Sequence, residues 1–156
     1  MALEYELDLS TSVKPTQVLE LLSRQIDGLT LTWNGKNSDY LWGPTINIDV
    51  SEPSRSRSET INDGFGFFPT LLVGFRFNTK IDEDYDTCGQ IMFQATMLLL
   101  EHARDAVLLF NAEIIVLQRL GGQLTFNSDY YMWDDDWLKS KLTIPFERRP
   151  LPSPLL

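Results

Sequence analysis

The sequence predicts an α+β fold in a single domain: an antiparallel or mixed sheet of about six or seven strands, with two main helices packed on one face. Three observations carry this expectation. At the N-terminus Leu3, Tyr5, Leu7 and Leu9 alternate with Glu4, Glu6 and Asp8, the period-two pattern of a half-exposed strand. Between Gly64 and Asn127 three apolar strand patterns surround one long apolar helical pattern, with few interruptions. The chain has 156 residues, 43% hydrophobic and 22% charged, so it can bury a core of its own without a metal or disulfide staple.

The elements follow in order. Val13, Val18, Leu19, Leu21, Leu22 and Ile26 keep helical spacing, with Pro15 suited to a first turn and Gly28 to a stop, which places a helix over 15–26. Leu29, Leu31 and Trp33 alternate with threonines as a strand, and Asn34-Gly35 is a hairpin signal. Tyr40–Trp42 and Thr45–Val50 are short strands broken by Gly43-Pro44. Ser51 to Asp63 is polar and reads as a loop. Phe67–Phe77 is a strand that Pro69 must begin, since proline cannot donate to a ladder, and its two apolar faces argue for a central place. After an acidic loop, Thr87-Cys88-Gly89-Gln90 fits a capping box opening a second, heavily buried helix with Ile91, Ala95, Leu98, Leu99 and His102 along one stripe. Ala106–Phe110, Glu113–Arg119 and Gln123–Asn127 read as strands, the last two joined at Gly121-Gly122. A short helix over Trp133–Lys141 and a strand over Leu142–Phe146 complete a domain of residues 1–147. The proline-rich residues 148–156 form an extended or disordered tail.

Charge limits the partners. A formal net charge of −9 repels nucleic acid and anionic lipid and attracts a basic protein. The longest apolar run, Met97–Leu100, is far too short to span a bilayer. The start of the chain lacks the basic and apolar regions of a signal peptide, and a lone Cys88 forms no internal disulfide. The expected location is therefore cytoplasmic.

No residue pattern points to catalysis, a cofactor or a metal. Gly64-Phe65-Gly66 lacks the third glycine of a dinucleotide loop and precedes a strand instead of following one. His102, the only histidine, suits the end of a helix. Cys88 has acidic neighbours that oppose a thiolate. Asp82, Asp84 and Asp86 have the opening spacing of a calcium loop, but Thr87 stands where glycine is required and Phe93 where the closing glutamate belongs. Arg55 and Arg57 are too few to bind nucleic acid in so acidic a chain. The two acidic clusters, Asp82, Glu83 and Asp84 in one and Asp134, Asp135 and Asp136 in the other, read either as solvated loop charge or as a contact surface for a basic protein; Trp133 and Trp137, at helical spacing, either cap the edge of the core or supply an anchor for that contact.

Three stretches together resemble a known family: Gly64-Phe65-Gly66-Phe67 running through Pro69-Thr70 into Val73-Gly74-Phe75-Arg76; Arg104 to Asn111; and Glu113 to Arg119 followed by Gly122-Gln123-Leu124 and Asn127. With the opening Met1-Ala2-Leu3-Glu4-Tyr5, the chain is similar to the Sit-type immunity proteins, small bacterial proteins resembling those that protect a cell from its own contact-delivered swarming-inhibition toxin. Relatives have glycine where this chain has Arg104, and Asn-Gly-Glu where it has Asn111-Ala112-Glu113. The resemblance implies a protein that binds and neutralises a cognate toxin without chemistry of its own, and it carries no catalytic or ligand motif. Two other readings stand beside it: a small-ligand or enzymatic domain with an aromatic pocket from Trp42, Phe65, Phe67 and Phe68, and a homodimeric structural module.

Overall fold

The computed structural model describes residues 3–32, 40–78, 82–130 and 132–153, without the side chains of residues 82–84. The Asn34-Gly35 turn expected from the sequence lies outside the described residues. Among the described residues nine strands form one sheet: β1 (Leu3–Thr11), β2 (Thr30–Thr32), β3 (Tyr40–Trp42), β4 (Ile46–Ser51), β5 (Leu71–Phe77), β6 (Ala103–Phe110), β7 (Ile114–Leu120), β8 (Gln123–Asn127) and β9 (Phe146–Arg149). Their order is β2-β3-β4-β5-β1-β6-β7-β8-β9, antiparallel throughout except for the parallel β8–β9 pair. Four described helices accompany them: α1 (Pro15–Gln25), α2 (Arg55–Phe65), α3 (Asp82–Leu100) and α4 (Asp135–Lys141).

The sheet is thus mixed, as the sequence allows, but the expectation of six or seven strands and two helices on one face is corrected to nine strands and four helices on two faces. Alternation along β1 sets the two faces. Tyr5, Leu7 and Leu9 point into the main core, where Val18, Leu19 and Leu22 of α1, Met92, Ala95 and Leu99 of α3, and Leu138 of α4 meet Phe75, Phe77, Leu108 and Phe126 of the sheet. On the opposite face Ile61 of α2 packs with Phe67, Val107, Leu109, Ile115 and Leu151 in a second, smaller core.

Helix α2 replaces the loop expected over Ser51–Asp63. Its apolar signal is weak because Ile61 is its one fully buried residue. Its ends are nonetheless well specified. The Ser54 hydroxyl accepts from the Arg57 amide at 3.1 Å, and Gly66 closes the helix at φ 81°, donating to the Asn62 carbonyl at 2.8 Å. Gly64-Phe65-Gly66 is therefore the last turn of a helix.

Two further boundaries move. Helix α3 begins at Asp82, so Thr87 lies inside it and the capping box does not form; acidic residues in a first turn complement the helix dipole, and the supposed acidic loop is that turn. The last strand is Phe146–Arg149, later than Leu142–Phe146, because Phe146 pairs with Leu124 and Arg149 with Asn127. Beyond β9, Leu151 is buried; its amide donates to Asn127 Oδ1 at 3.1 Å and its carbonyl accepts from Asn127 Nδ2 at 3.2 Å.

Candidate functional site

The starts of α3 and α4 lie side by side. Trp133 spans them: its indole Nε1 donates to the Gly89 carbonyl at 3.3 Å, and its ring meets Phe93 edge-on with centroids 5.2 Å apart. Trp137 meets the same Phe93 ring at 4.7 Å. Between the helices is a cleft of about 140 Å³ lined by Tyr85, Asp86, Gly89, Gln90, Met132, Trp133, Asp134 and Trp137. It leads, through Gln90 and Trp137, into a wider groove of about 580 Å³ whose walls include Phe93, Met97, Leu98, Leu142 and Ile144.

Of the residues singled out from the sequence, Asp134, Trp133 and Trp137 meet at this cleft, with Asp86 opposite them. Asp82, Glu83 and Asp84 occupy the first turn of α3 by backbone; their side chains lie outside the described residues. Trp133 is 6% exposed, so its ring is part of the core. Trp137 is half-buried and carries the Lys141 ammonium 5.9 Å above its ring. The three aspartates have different tasks. Asp134 caps α4, its Oδ1 accepting from the Trp137 amide at 2.7 Å. Asp135 accepts from Arg148 Nε at 2.5 Å, and that guanidinium also donates to the Trp133 carbonyl at 2.7 Å. Asp136 is exposed with no ion pair among the described residues.

Three tyrosine hydroxyls converge beside the cleft. Tyr5, fully buried on β1, is 2.6 Å from the Tyr130 hydroxyl and 3.4 Å from that of Tyr85. Burial pushes the pKa of Tyr5 far above the ordinary phenolic value, and the hydrogen bonds to Tyr130 and Tyr85 push it the same way. Burial also raises Tyr130. Tyr5 and Tyr130 stay protonated, and the three hydroxyls tie β1, α3 and the loop after β8 to one point.

On the opposite face the structure builds an ion cluster that the sequence did not reveal. Arg57 Nε and Nη2 donate to Asp8 Oδ1 at 3.1 Å and Oδ2 at 2.6 Å, and Nη2 lies 2.8 Å from Glu6 Oε2. Asp8 is fully buried. Burial raises its pKa, with Arg57 opposing that shift. The signal was present as the charged positions of the β1 alternation, but nothing local indicated which cation would reach them.

The remaining candidates resolve into structure. Cys88 is buried, with Sγ 3.3 Å from the Thr45 carbonyl oxygen. His102 is exposed in the turn between α3 and β6, its amide donating to the Leu99 carbonyl at 3.0 Å. The four aromatics of the pocket reading do not come together. Phe67 and Phe65 are spent in the second core, Phe68 is exposed, and Trp42 lies on β3, with β4, β5 and β1 between it and β6. No group of three or more His, Cys, Asp or Glu residues among the described residues is placed to hold a metal ion. No described helix is long and apolar enough to cross a membrane.

These elements make an α+β protein: a mixed nine-stranded sheet with an acidic, aromatic cleft between two helix starts. The sequence model of the SitI3-like family matches residues 3–137, and the chain belongs to that family of immunity-type proteins. No curated protein and no solved structure matches it.

Proposed function

We propose that this chain is an immunity protein that binds a cognate toxin and neutralises it by occupancy, without chemistry of its own. Membership of the SitI3-like family over residues 3–137 is the observation that carries this reading. The chemistry of the surface supports it. The net charge of −9 favours rapid encounter with a basic partner, and carboxylates on two neighbouring elements form a lip around a partly exposed indole. Asp86 and Asp134 line the cleft, Asp135 and Asp136 follow in the first turn of α4, and Asp82, Glu83 and Asp84 are assigned to the same contact by their place in the first turn of α3. Trp137, half-buried, is its anchor, and Trp133 holds the two helix starts in register from below. The protein acts in the cytoplasm, where it meets toxin that has entered the cell.

The test is growth of cells expressing a candidate toxin from the same genome, with and without the chain, paired with calorimetric titration of the two purified proteins. Protection together with stoichiometric binding is expected. A chain that neither protects nor binds would end the immunity reading.

A further inference from the structure

The second sheet face is only half covered. Helix α2 lies against β1, β6 and β7, through Arg57 and through the small core around Ile61. Over β3, β4 and β5 no described helix lies, and the residues pointing outward there are exposed or half-buried. Register lines them up. Glu6 pairs with Gly74, Gly74 with Asp49, and Asp49 with Tyr40, a single row across four strands. The next row runs from Glu4 through Arg76 and Asn47 to Trp42. Trp42 is 50% exposed, an unusual placement for the largest side chain.

Gly74 is the floor of this face. Asp49 leans across it, so that a Cβ at position 74 would come within 2.5 Å of Asp49 Oδ1. Asp49 and Glu6 therefore face each other across a glycine, and among the described residues the cations near them are Arg57, held on Glu6 and Asp8, and Arg76 at the side of the hollow. Burial, together with the charges of Glu6 and Glu4, raises the pKa of Asp49. Among the described residues four carboxylates, of Glu4, Glu6, Asp8 and Asp49, share this face with two guanidiniums. Arg57 is taken up by Asp8 and Glu6, and Arg76 is a loose 3.8 Å from Glu4. Asn47 Oδ1 is buried and has no donor among the described residues. The hollow over Gly74 measures about 200 Å³, smaller than the pockets that enclose drug-sized ligands and suited to one long side chain.

We propose that this open sheet face, centred on Gly74 and bounded by Asp49, Glu6 and Trp42, is a docking surface that receives an arginine or lysine side chain from a basic protein partner. This rests on the immunity reading for the partner's identity as a toxin, while the face and its chemistry stand on the geometry. The charge excess selects a cation, and the exposed indole offers its face to a guanidinium.

The test is nuclear magnetic resonance of the ¹⁵N-labelled full chain titrated with N-acetyl-arginine amide, with N-acetyl-glutamine amide as the neutral control. Saturable shifts are expected at Glu6, Asp49, Gly74 and the Trp42 indole with the arginine derivative alone. Asp49→Asn, which keeps the side-chain shape, should weaken binding about tenfold, the loss of one charge-assisted hydrogen bond. Gly74→Ala should do the same by displacing Asp49, with the rest of the amide spectrum unchanged. Shifts absent, equal with the neutral control, or confined to Asp86 and Asp134–Asp136 would overturn the proposal. The growth assay separates the two readings. A wild-type chain that fails to protect removes the toxin, while the titration still decides the face. A protective chain whose Trp42→Ala/Asp49→Asn variant protects and binds toxin equally well removes the face and leaves immunity standing.

Discussion

Ala112 shows how one residue can carry strain in a hairpin. Asn111 and Ala112 join β6 to β7 with φ values of 50° and 59°, both left-handed, as a tight turn of this hand requires. Asparagine tolerates that region; alanine does so at a cost. Ala112→Gly is expected to stabilise the protein by about 1 kcal/mol, read as a higher urea midpoint with an unchanged slope. Arg57 gives the opposite case. Its removal strands the buried Asp8 carboxylate, so Arg57→Ala should cost about 3 kcal/mol near neutral pH. Without the guanidinium the Asp8 pKa rises further. Protonation then relieves the stranded charge, and the deficit of the variant should shrink as pH falls through the folded-state pKa of Asp8. Urea titrations of both proteins at several pH values check this, and a deficit that grows on acidification would contradict the assignment. Tyr5 and Tyr130 supply a test at the alkaline end. Both are protonated in the fold well above the ordinary value of 10.0, so their contribution is whole below that pH and declines as the unfolded chain begins to ionise. Ultraviolet titration should show the two phenols silent until the protein unfolds.

At the scale of elements, α2 is the one whose stability is least apolar. It offers Ile61 and part of Phe65 to the second core, and otherwise relies on the Ser54 cap and the Arg57 cluster. Ser54→Ala should cost about 1 kcal/mol, and amides of α2 should exchange with solvent faster than those of α3, whose Met92, Ala95 and Leu99 lie in the main core. Equal protection of the two helices in hydrogen exchange would refute this ranking. The same weakness explains why α2 was illegible in the sequence. A helix read from apolar periodicity needs several apolar positions, and Ser-Arg-Ser-Arg-Ser supplies none. Helices α1 and α4 were legible because Val18, Leu19 and Leu22, and Trp137 and Leu138, mark their faces. The start of α3 was misplaced because four acidic residues in six look like a solvated loop when the dipole they complement is not yet in view.

For the whole molecule, the two sheet faces divide the work. One carries three helices and the main core; the other carries α2 and leaves β3 to β5 open. The acidic lip lies between helix starts on the first face, and the Gly74 hollow on the second. Neutralising the lip with Asp134→Asn and Asp136→Asn should slow association with a basic toxin and flatten its dependence on salt, since exposed charges act mainly on the encounter rate. Asp135 is best left in place in that variant, because it holds Arg148. Stopped-flow association rates across a salt series check this. An unchanged rate and slope would take the lip out of the interface.

The sequence by itself determined the α+β class, the central place of β5, the strands and turn between Ala106 and Asn127, and a strongly acidic surface. These features rest on local information: alternation, helical spacing, turn residues and charge count. The tertiary structure decided what depends on distant partners. Phe146 to Arg149 became a strand because β8 offered a free edge, and a polar segment became a helix because Asp8 and Glu6 awaited a cation 49 and 51 residues away in sequence. It also decided that Trp133 would be buried while Trp42 stayed exposed. Which side of a sheet is covered depends on where the connecting chain can pack, and no short window of sequence holds that information.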